Sequence, residues 1–192
     1  MRIIAGECRG RSLRAPAGHA TRPTADRVRQ ALFDTLSHAS WAGLDFLRGA
    51  RVLDGFAGTG ALGLEALSRG AASVCFVERD RAALRALREN IAGCGMNARS
   101  TVRALDLLRL PPAGAAGSVD LVLLDPPYGH DLPAQALAVL ERGGWLGGST
   151  LVVVETGAAE NAPVAADRLL LTRRHGAAHL YVWRHGAEIG GH

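Results

Sequence analysis

The sequence contains no lysine. All 22 of its basic residues are arginine, set against 18 acidic residues for a formal net charge of +4. With 34 alanines and 24 glycines, an arginine-only chain also reads as the codon bias of a GC-rich genome, so arginine content alone does not imply a nucleic-acid partner. Cysteine is scarce as well. Cys8, Cys75 and Cys94 are odd in number, far apart and without C-x-x-C spacing, which argues against a disulfide framework and a cysteine-held zinc ion. His175 and His179 lack a helix that would bring them to one face, so no metal site is expected there. No apolar run approaches the ~18 residues of a bilayer span. The start Met1-Arg2-Ile3-Ile4-Ala5-Gly6-Glu7 has no signal-peptide core, and a cytoplasmic protein is expected. At 192 residues and 48% hydrophobic, the chain suits one domain with a sizeable core.

The charge is unevenly spread. Residues 1–30 hold seven arginines against Glu7 and Asp26, a net of +5; the remaining 162 hold fifteen against sixteen acids, a net of −1. The whole positive excess therefore lies at the N-terminus, which reads as a polyanion-binding arm or as a solvated tail. Residues 1–22 are expected to form a short basic hairpin or arm, and 23–192 the main domain. Val28, Ala31, Leu32, Thr35 and Leu36 form a helical stripe. Pro23 is expected to stop that helix and Thr24 to cap it, with Arg27 and Arg29 in the first turn facing something beside the body.

Strands then alternate with helices. Apolar runs at 51–54, 73–77, 101–103, 121–124 and 151–155 read as strands, followed by two more at 168–174 and 179–184. Helices are expected at 61–68, 81–92 and 132–140. This order predicts a doubly wound α/β domain on a seven-stranded sheet.

In such a sheet ligands bind at the carboxyl ends of the strands. Asp54, Glu78 and Asp125 end three of them, and Asp106 follows the weak third strand. Gly58-Thr59-Gly60-Ala61-Leu62-Gly63, after Asp54, matches G-x-G-x-x-G, so a nicotinamide dinucleotide is one ligand to weigh. Asp54 just before the loop favours a cationic amine or sulfonium over a pyrophosphate. That points instead to S-adenosyl-L-methionine, with Glu78 accepting ribose hydroxyls. Asp125-Pro126-Pro127-Tyr128 then offers acceptors without backbone donors at the two prolines, and a ring for stacking. Converging acceptors suit an exocyclic amine, although the same residues also suit a rigid strand-ending turn.

These motifs resemble a class I S-adenosylmethionine-dependent methyltransferase with a Rossmann-like fold, acting on an exocyclic nitrogen. The longer stretches Met1–Gly6, Arg9–Arg11, Arg22–Phe33 and Ala57–Ala71 resemble the RsmD family, whose members methylate the N2 amine of one guanine in bacterial 16S ribosomal RNA. Gly55 stands where that family often has a larger apolar residue. The resemblance implies that Asp54, Phe56, Ala57, Gly58, Gly60, Glu78, Arg79, Asp106, Leu107 and Asp125 line the cofactor. It implies that Asp125, Pro126, Pro127 and Tyr128 hold the target base. Arg2, Arg9, Arg11, Arg14, Arg22, Thr24, Arg27 and Arg29 would meet the RNA. The expected partner is the small ribosomal subunit or an assembly intermediate, the expected state a monomer. A DNA adenine-N6 methyltransferase and a non-catalytic RNA-binding assembly module remain as alternatives, and His130 has no assigned role.

Overall fold

A computed structural model describes residues 1–16, 23–127, 131–158, 160–176 and 178–186, without the side chains of residues 23–25 and 175. Seven strands form one sheet: β1 (Arg51–Gly55), β2 (Ser73–Glu78), β3 (Ser100–Ala104), β4 (Val119–Leu124), β5 (Leu146–Gly157), β6 (Leu169–His175) and β7 (Ala178–Arg184). Their order is β3-β2-β1-β4-β5-β7-β6. The first five pair in parallel, and β7 runs antiparallel to both β5 and β6. The chain moves outward from β1 through β3 and returns beside β1 as β4, so the direction of winding reverses between β1 and β4. Crevices form at such a point, above the strand ends.

Among the described residues four helices cover the sheet: α1 (Pro23–His38), α2 (Ala61–Ser68), α3 (Arg81–Gly93) and α4 (Leu132–Arg142). Leu121 to Leu124 on β4 are all buried, because helices cover both faces and alternate side chains have no wet side. One core gathers Val52, Phe76, Leu123 and Val153 from the sheet with Phe33 of α1, Leu64 of α2 and Leu87 of α3. The other joins Leu53, Val122 and Val152 to Ala136 and Leu140 of α4 and to Trp183. From β3 to β4 the chain crosses by short 3-10 turns, Leu107–Arg109 and Gly114–Ala116.

The N-terminal residues fold against this body. Ile3 and Arg11 are joined by an N–H to carbonyl bond, as are Gly10 and Ile3, and Leu13 and Met1. Ile3 and Leu13 enter the core. The Ile4 and Ala5 N–H groups donate to the Glu65 carboxylate at 2.8 and 3.1 Å, and Cys8 N–H donates to Ser68 Oγ at 3.0 Å. At Gly6, φ is +82°, and a Cβ there would fall 1.7 Å from the Ser68 carbonyl oxygen. Only glycine lets the hairpin come this close to α2.

Most boundaries lie within two residues of the sequence expectation, and the starts of α1 and β5 show why they move. α1 begins at Pro23 itself, so the proline occupies the first turn, where its missing N–H costs nothing, and Thr24 is not the cap. β5 starts at Leu146 rather than 151. Gly147 to Thr150 reads as a turn, yet Thr150 Oγ1 accepts from Gly147 N–H and donates to the Val119 carbonyl, holding that stretch beside β4 across a register shift.

Candidate active site

β1 delivers the chain into a loop that turns sharply at Phe56, a non-glycine residue at φ +59°. A left-handed phenylalanine is strained by roughly 1–3 kcal/mol, a cost found mostly at ligand sites. Three bonds fix the loop. Ala57 N–H donates to the Val77 carbonyl, Gly58 N–H to Glu78 Oε2 at 2.7 Å, and Gly60 N–H to the Ala57 carbonyl. Gly60 then caps α2 at φ +81°, and a Cβ there would lie 2.4 Å from Leu87 Cδ1. Gly55 has a packing reason too: a Cβ would meet Leu124 Cδ2 at 2.6 Å and Leu107 Cδ2 at 2.8 Å, so these leucines already fill the space of a larger residue.

The acids surround the loop unequally. Asp54 is buried beneath it, with Oδ2 accepting from Gly63 N–H at 2.9 Å near the start of α2. Burial pushes its carboxyl well above the ordinary range; the Gly63 N–H opposes this, and the charges of Asp125 and Glu78 add to it. Glu78 Oε1 accepts from the Arg79 and Asp80 N–H groups, both at 2.7 Å. Asp106 accepts from Leu108 N–H at 3.1 Å and from the Arg79 guanidinium at 2.7 Å. Partial burial raises the Asp106 carboxyl, but those two donors and nearby Arg109 outweigh it and hold it below the usual range. Asp125 opens onto the cleft as an exposed residue. Desolvation by the surrounding protein, with the charge of Glu155, raises its carboxyl to about 7.

A cleft of about 340 Å³ lies above these strand ends, and Phe56, Glu78, Arg79, Asp106, Leu107 and Asp125 all line it, with Pro127 beside them. Ala57, Gly58 and Gly60 form the adjoining loop, Asp54 lies beneath it, and Pro126 is buried. The chemistry of this set fits a cation and not a pyrophosphate. Asp54 and Glu78 already occupy the Gly63 and Gly58 N–H groups that an anion would need, and their charge would repel it.

The expected RNA-contacting residues are dispersed. Arg2, Arg9 and Arg27 border a second concavity of about 480 Å³, together with Asp26 and Gln30. Arg11 is exposed, and exposed Arg14 pairs with Glu89 at 2.9 Å. Arg29 corrects the sequence expectation: it is 4% exposed and donates to Asp26 and to the Arg2 carbonyl, with Glu65 at 3.8 Å, so it has no face for a phosphate. Its position in the first turn suggested outward reach, but the hairpin covers that face. Arg22, Tyr128 and His130 lie outside the described residues, as does the side chain of Thr24.

Sequence reasoning missed Glu65 and Ser68, which anchor the hairpin. The available signal was two polar residues in a short helix otherwise made of Ala, Leu and Gly. It also missed Glu155, although the run Leu151–Val154 ends in an acid just as the runs before Asp54, Glu78 and Asp125 do.

Comparison with known proteins agrees with this geometry. A family model described as "Conserved hypothetical protein 95" matches residues 1–184. The ribosomal RNA small subunit methyltransferase D of Haemophilus influenzae is 38% identical over 81% of this chain and 78% of its own length. The protein of the same name from Escherichia coli K12 is 36% identical over 90% and 83%. A solved Escherichia coli structure assigned to the methyltransferases is 34% identical, covers 98% of this chain and 99% of that one, and superposes with a TM-score of 0.81. The sheet order is that of a class I methyltransferase, and the chain belongs to the ribosomal RNA small subunit methyltransferase D family.

Proposed function

We propose that the protein methylates the exocyclic N2 amine of a guanine in 16S ribosomal RNA, using S-adenosyl-L-methionine, within the small subunit or an intermediate of its assembly. Family membership supports the ribosomal RNA substrate. The observation that carries the chemistry is the cluster of acids around a glycine-rich loop whose N–H groups are already taken, beside Asp125-Pro126-Pro127. When bound, S-adenosyl-L-methionine supplies an electrophilic methyl group on a positively charged sulfur.

The residues of the chain do the rest. Asp54 provides negative charge beneath the loop, toward the cationic end of the cofactor, and Glu78, Asp106 and Leu107 suit its ribose and adenine. An aromatic amine is a poor nucleophile, because its lone pair is delocalised into the ring. Acceptance of its hydrogens by Asp125 and by the Pro126 carbonyl favours a pyramidal nitrogen with the lone pair directed at the methyl. Such alignment supplies up to about 7–11 kcal/mol of a barrier. The Asp125 carboxylate also stabilises the charge that develops on nitrogen. Tyr128 would stack on the base, which must leave its helix to enter, so looped or single-stranded RNA suits the site. Arg2, Arg9 and Arg27, with Arg11 and Arg14, would hold phosphates without reading sequence. A ribosomal substrate implies a cytoplasmic protein, and one copy of the chain suffices for the site.

The test is transfer of labelled methyl to unmodified small subunits, naked 16S RNA and duplex DNA, followed by nucleoside analysis. N2-methylguanosine from ribosomal substrate alone is the expected result. N6-methyladenine in DNA would overturn the substrate, and no transfer with intact cofactor binding would favour a binding module.

A further inference from the structure

The strand register places a second carboxylate next to Asp125. Leu123 pairs with Val153 and Leu124 with Val154; β4 ends there, and the next residue on each chain segment is an acid, Asp125 and Glu155, the charge of Glu155 acting on the Asp125 carboxyl. Leu123 and Val153 point into the core shared with Val52 and Phe76. Side chains alternate along a strand, so Glu155, two residues on from Val153, continues that same face, and Asp125 follows directly on the end of β4 beside it. Gly55 lies level with both Val77 and Leu124, which puts Glu78 in the same row as Asp125 and Glu155. Asp54 is on this face too, two residues deeper. Neighbouring strands are about 4.8 Å apart, and two carboxylates at that spacing do not both ionise readily.

We propose that Glu155 is a positioning residue of the reaction: standing beside Asp125, it makes that carboxylate a stronger base, so that Asp125 receives the proton shed by the methylated amine. The inference rests on the function proposed above. It extends the role of Asp125 from acceptor of hydrogen bonds to acceptor of the proton. As the nitrogen bonds to the methyl carbon, the carbon–sulfur bond breaks with its electrons remaining on sulfur, and the nitrogen holds one proton in excess. That N–H bond breaks with its electron pair returning to nitrogen, and an O–H bond forms on Asp125. The proton passes to water as product leaves.

The surroundings support this assignment. Desolvation by the surrounding protein and the charge of Glu155 raise the Asp125 carboxyl to about 7, near the pH at which a proton acceptor works best. Among the described residues, other charged and titratable groups near this row are placed as follows. Asp54 and Glu78 are acids as well, and the charges of Asp125 and Glu78 raise the Asp54 carboxyl in turn. Arg173 of β6 lies in the row two strands beyond Glu155, with Leu180 between. His179 and Tyr181 bond to each other at 3.1 Å on the opposite face. Arg79 is paired with Asp106, Arg29 with Asp26, Arg27 borders the separate concavity, and Asp131 at the start of α4 is exposed.

The first readout needs neither cofactor nor RNA. Carbon-13 NMR follows the Asp125 carboxyl carbon through a pH titration of the free protein, with Asp125→Asn identifying the signal. The midpoint is expected near 7 and should fall by about one pH unit or more in Glu155→Gln, while Glu155→Asp, which keeps the charge, holds it near the wild-type value. The second readout is kcat against pH on ribosomal substrate. Wild type loses activity as pH falls through the Asp125 midpoint; Glu155→Gln should shift that limb to lower pH and lower the plateau, with KM for cofactor and RNA within twofold. An unmoved midpoint in a folded Glu155→Gln protein, or a wild-type midpoint in the ordinary carboxylate range, overturns the proposal. If the midpoint moves but no variant methylates RNA, the carboxylate pair stands, and its role falls with the proposed function.

Discussion

At the seam between hairpin and α2, Glu65 is fully buried, and its two oxygens accept from Ile4, Ala5 and Arg69, with Arg29 at 3.8 Å. Beneath the cleft Asp54 is almost as deeply buried, but it accepts from Gly63 and faces the charges of Asp125 and Glu78. Both sites place a carboxylate out of water. In the seam both carboxylate oxygens are met by protein donors, so the acid joins three segments of chain. In the cleft, Asp54 faces the charges of Asp125 and Glu78, and under the proposed function the cofactor supplies the cation that relieves them. The seam is therefore built for stability and the cleft for binding, the second at the expense of the first.

Substitution separates the two. The largest effect is expected from Glu65→Ala, which strands the Ile4 and Ala5 N–H groups and leaves Arg29 and Arg69 buried without their shared partner. Breaking a buried charge network this way costs about 3–5 kcal/mol, read as a lower urea midpoint of unfolding. Asp125→Asn should do the reverse: kcat falls by about a hundredfold or more, while the melting temperature holds or rises. A loss of stability at Asp125 comparable to that at Glu65 would erase the distinction.

Asp54→Asn tests the cleft from its other side. Asparagine can still accept from Gly63 N–H but cannot ionise. Because burial holds the Asp54 carboxyl above its unfolded value, the folded chain binds the extra proton. The resulting stabilisation is complete below the ordinary carboxylate range and is lost as pH rises through the raised value. The variant should therefore melt above wild type at pH 8 and lose that advantage in acid. Its affinity for S-adenosyl-L-methionine should fall about tenfold, the equivalent of roughly 1.4 kcal/mol, as measured by calorimetry. In the wild type, binding should tighten as pH rises and release a proton, since a cation restores the ionised form.

The two regions were not equally legible in sequence. The cleft announced itself because β1, β2 and β4 are apolar runs that lead into an acid, and a local pattern is enough to find Asp54, Glu78 and Asp125. The seam depends on Glu65 meeting Ile4, 61 residues away, and nothing local to either residue encodes that meeting. Arg29 shows the consequence. Its neighbours in sequence made it one of a basic cluster, and only the folded-back hairpin turns it inward. Gly55 was legible as a departure from the family pattern, but its reason lies in Leu107 and Leu124, which reach it from two other segments. Gly55→Leu is accordingly expected to overpack that site by about 1–3 kcal/mol, seen as a lowered melting temperature.

The smallest effect sharpens the division within the basic N-terminus itself. Arg14 and its partner Glu89 are exposed on 76% and 52% of their side-chain surface. Arg14→Ala should therefore change stability by less than about 1 kcal/mol. If Arg14 and Arg9 hold phosphates, each alanine variant instead lowers the salt dependence of RNA binding, by about 0.7 in the slope of log affinity against log salt for a single-stranded contact. Arg29→Ala should leave that slope unchanged while destabilising the fold, because its guanidinium faces Asp26 and Glu65 rather than solvent. Filter-binding titrations at several salt concentrations, with urea unfolding of the same three variants, read both quantities. A reduced slope in Arg29→Ala, or an unchanged one in Arg9→Ala and Arg14→Ala, would move the RNA away from the exposed face of the hairpin.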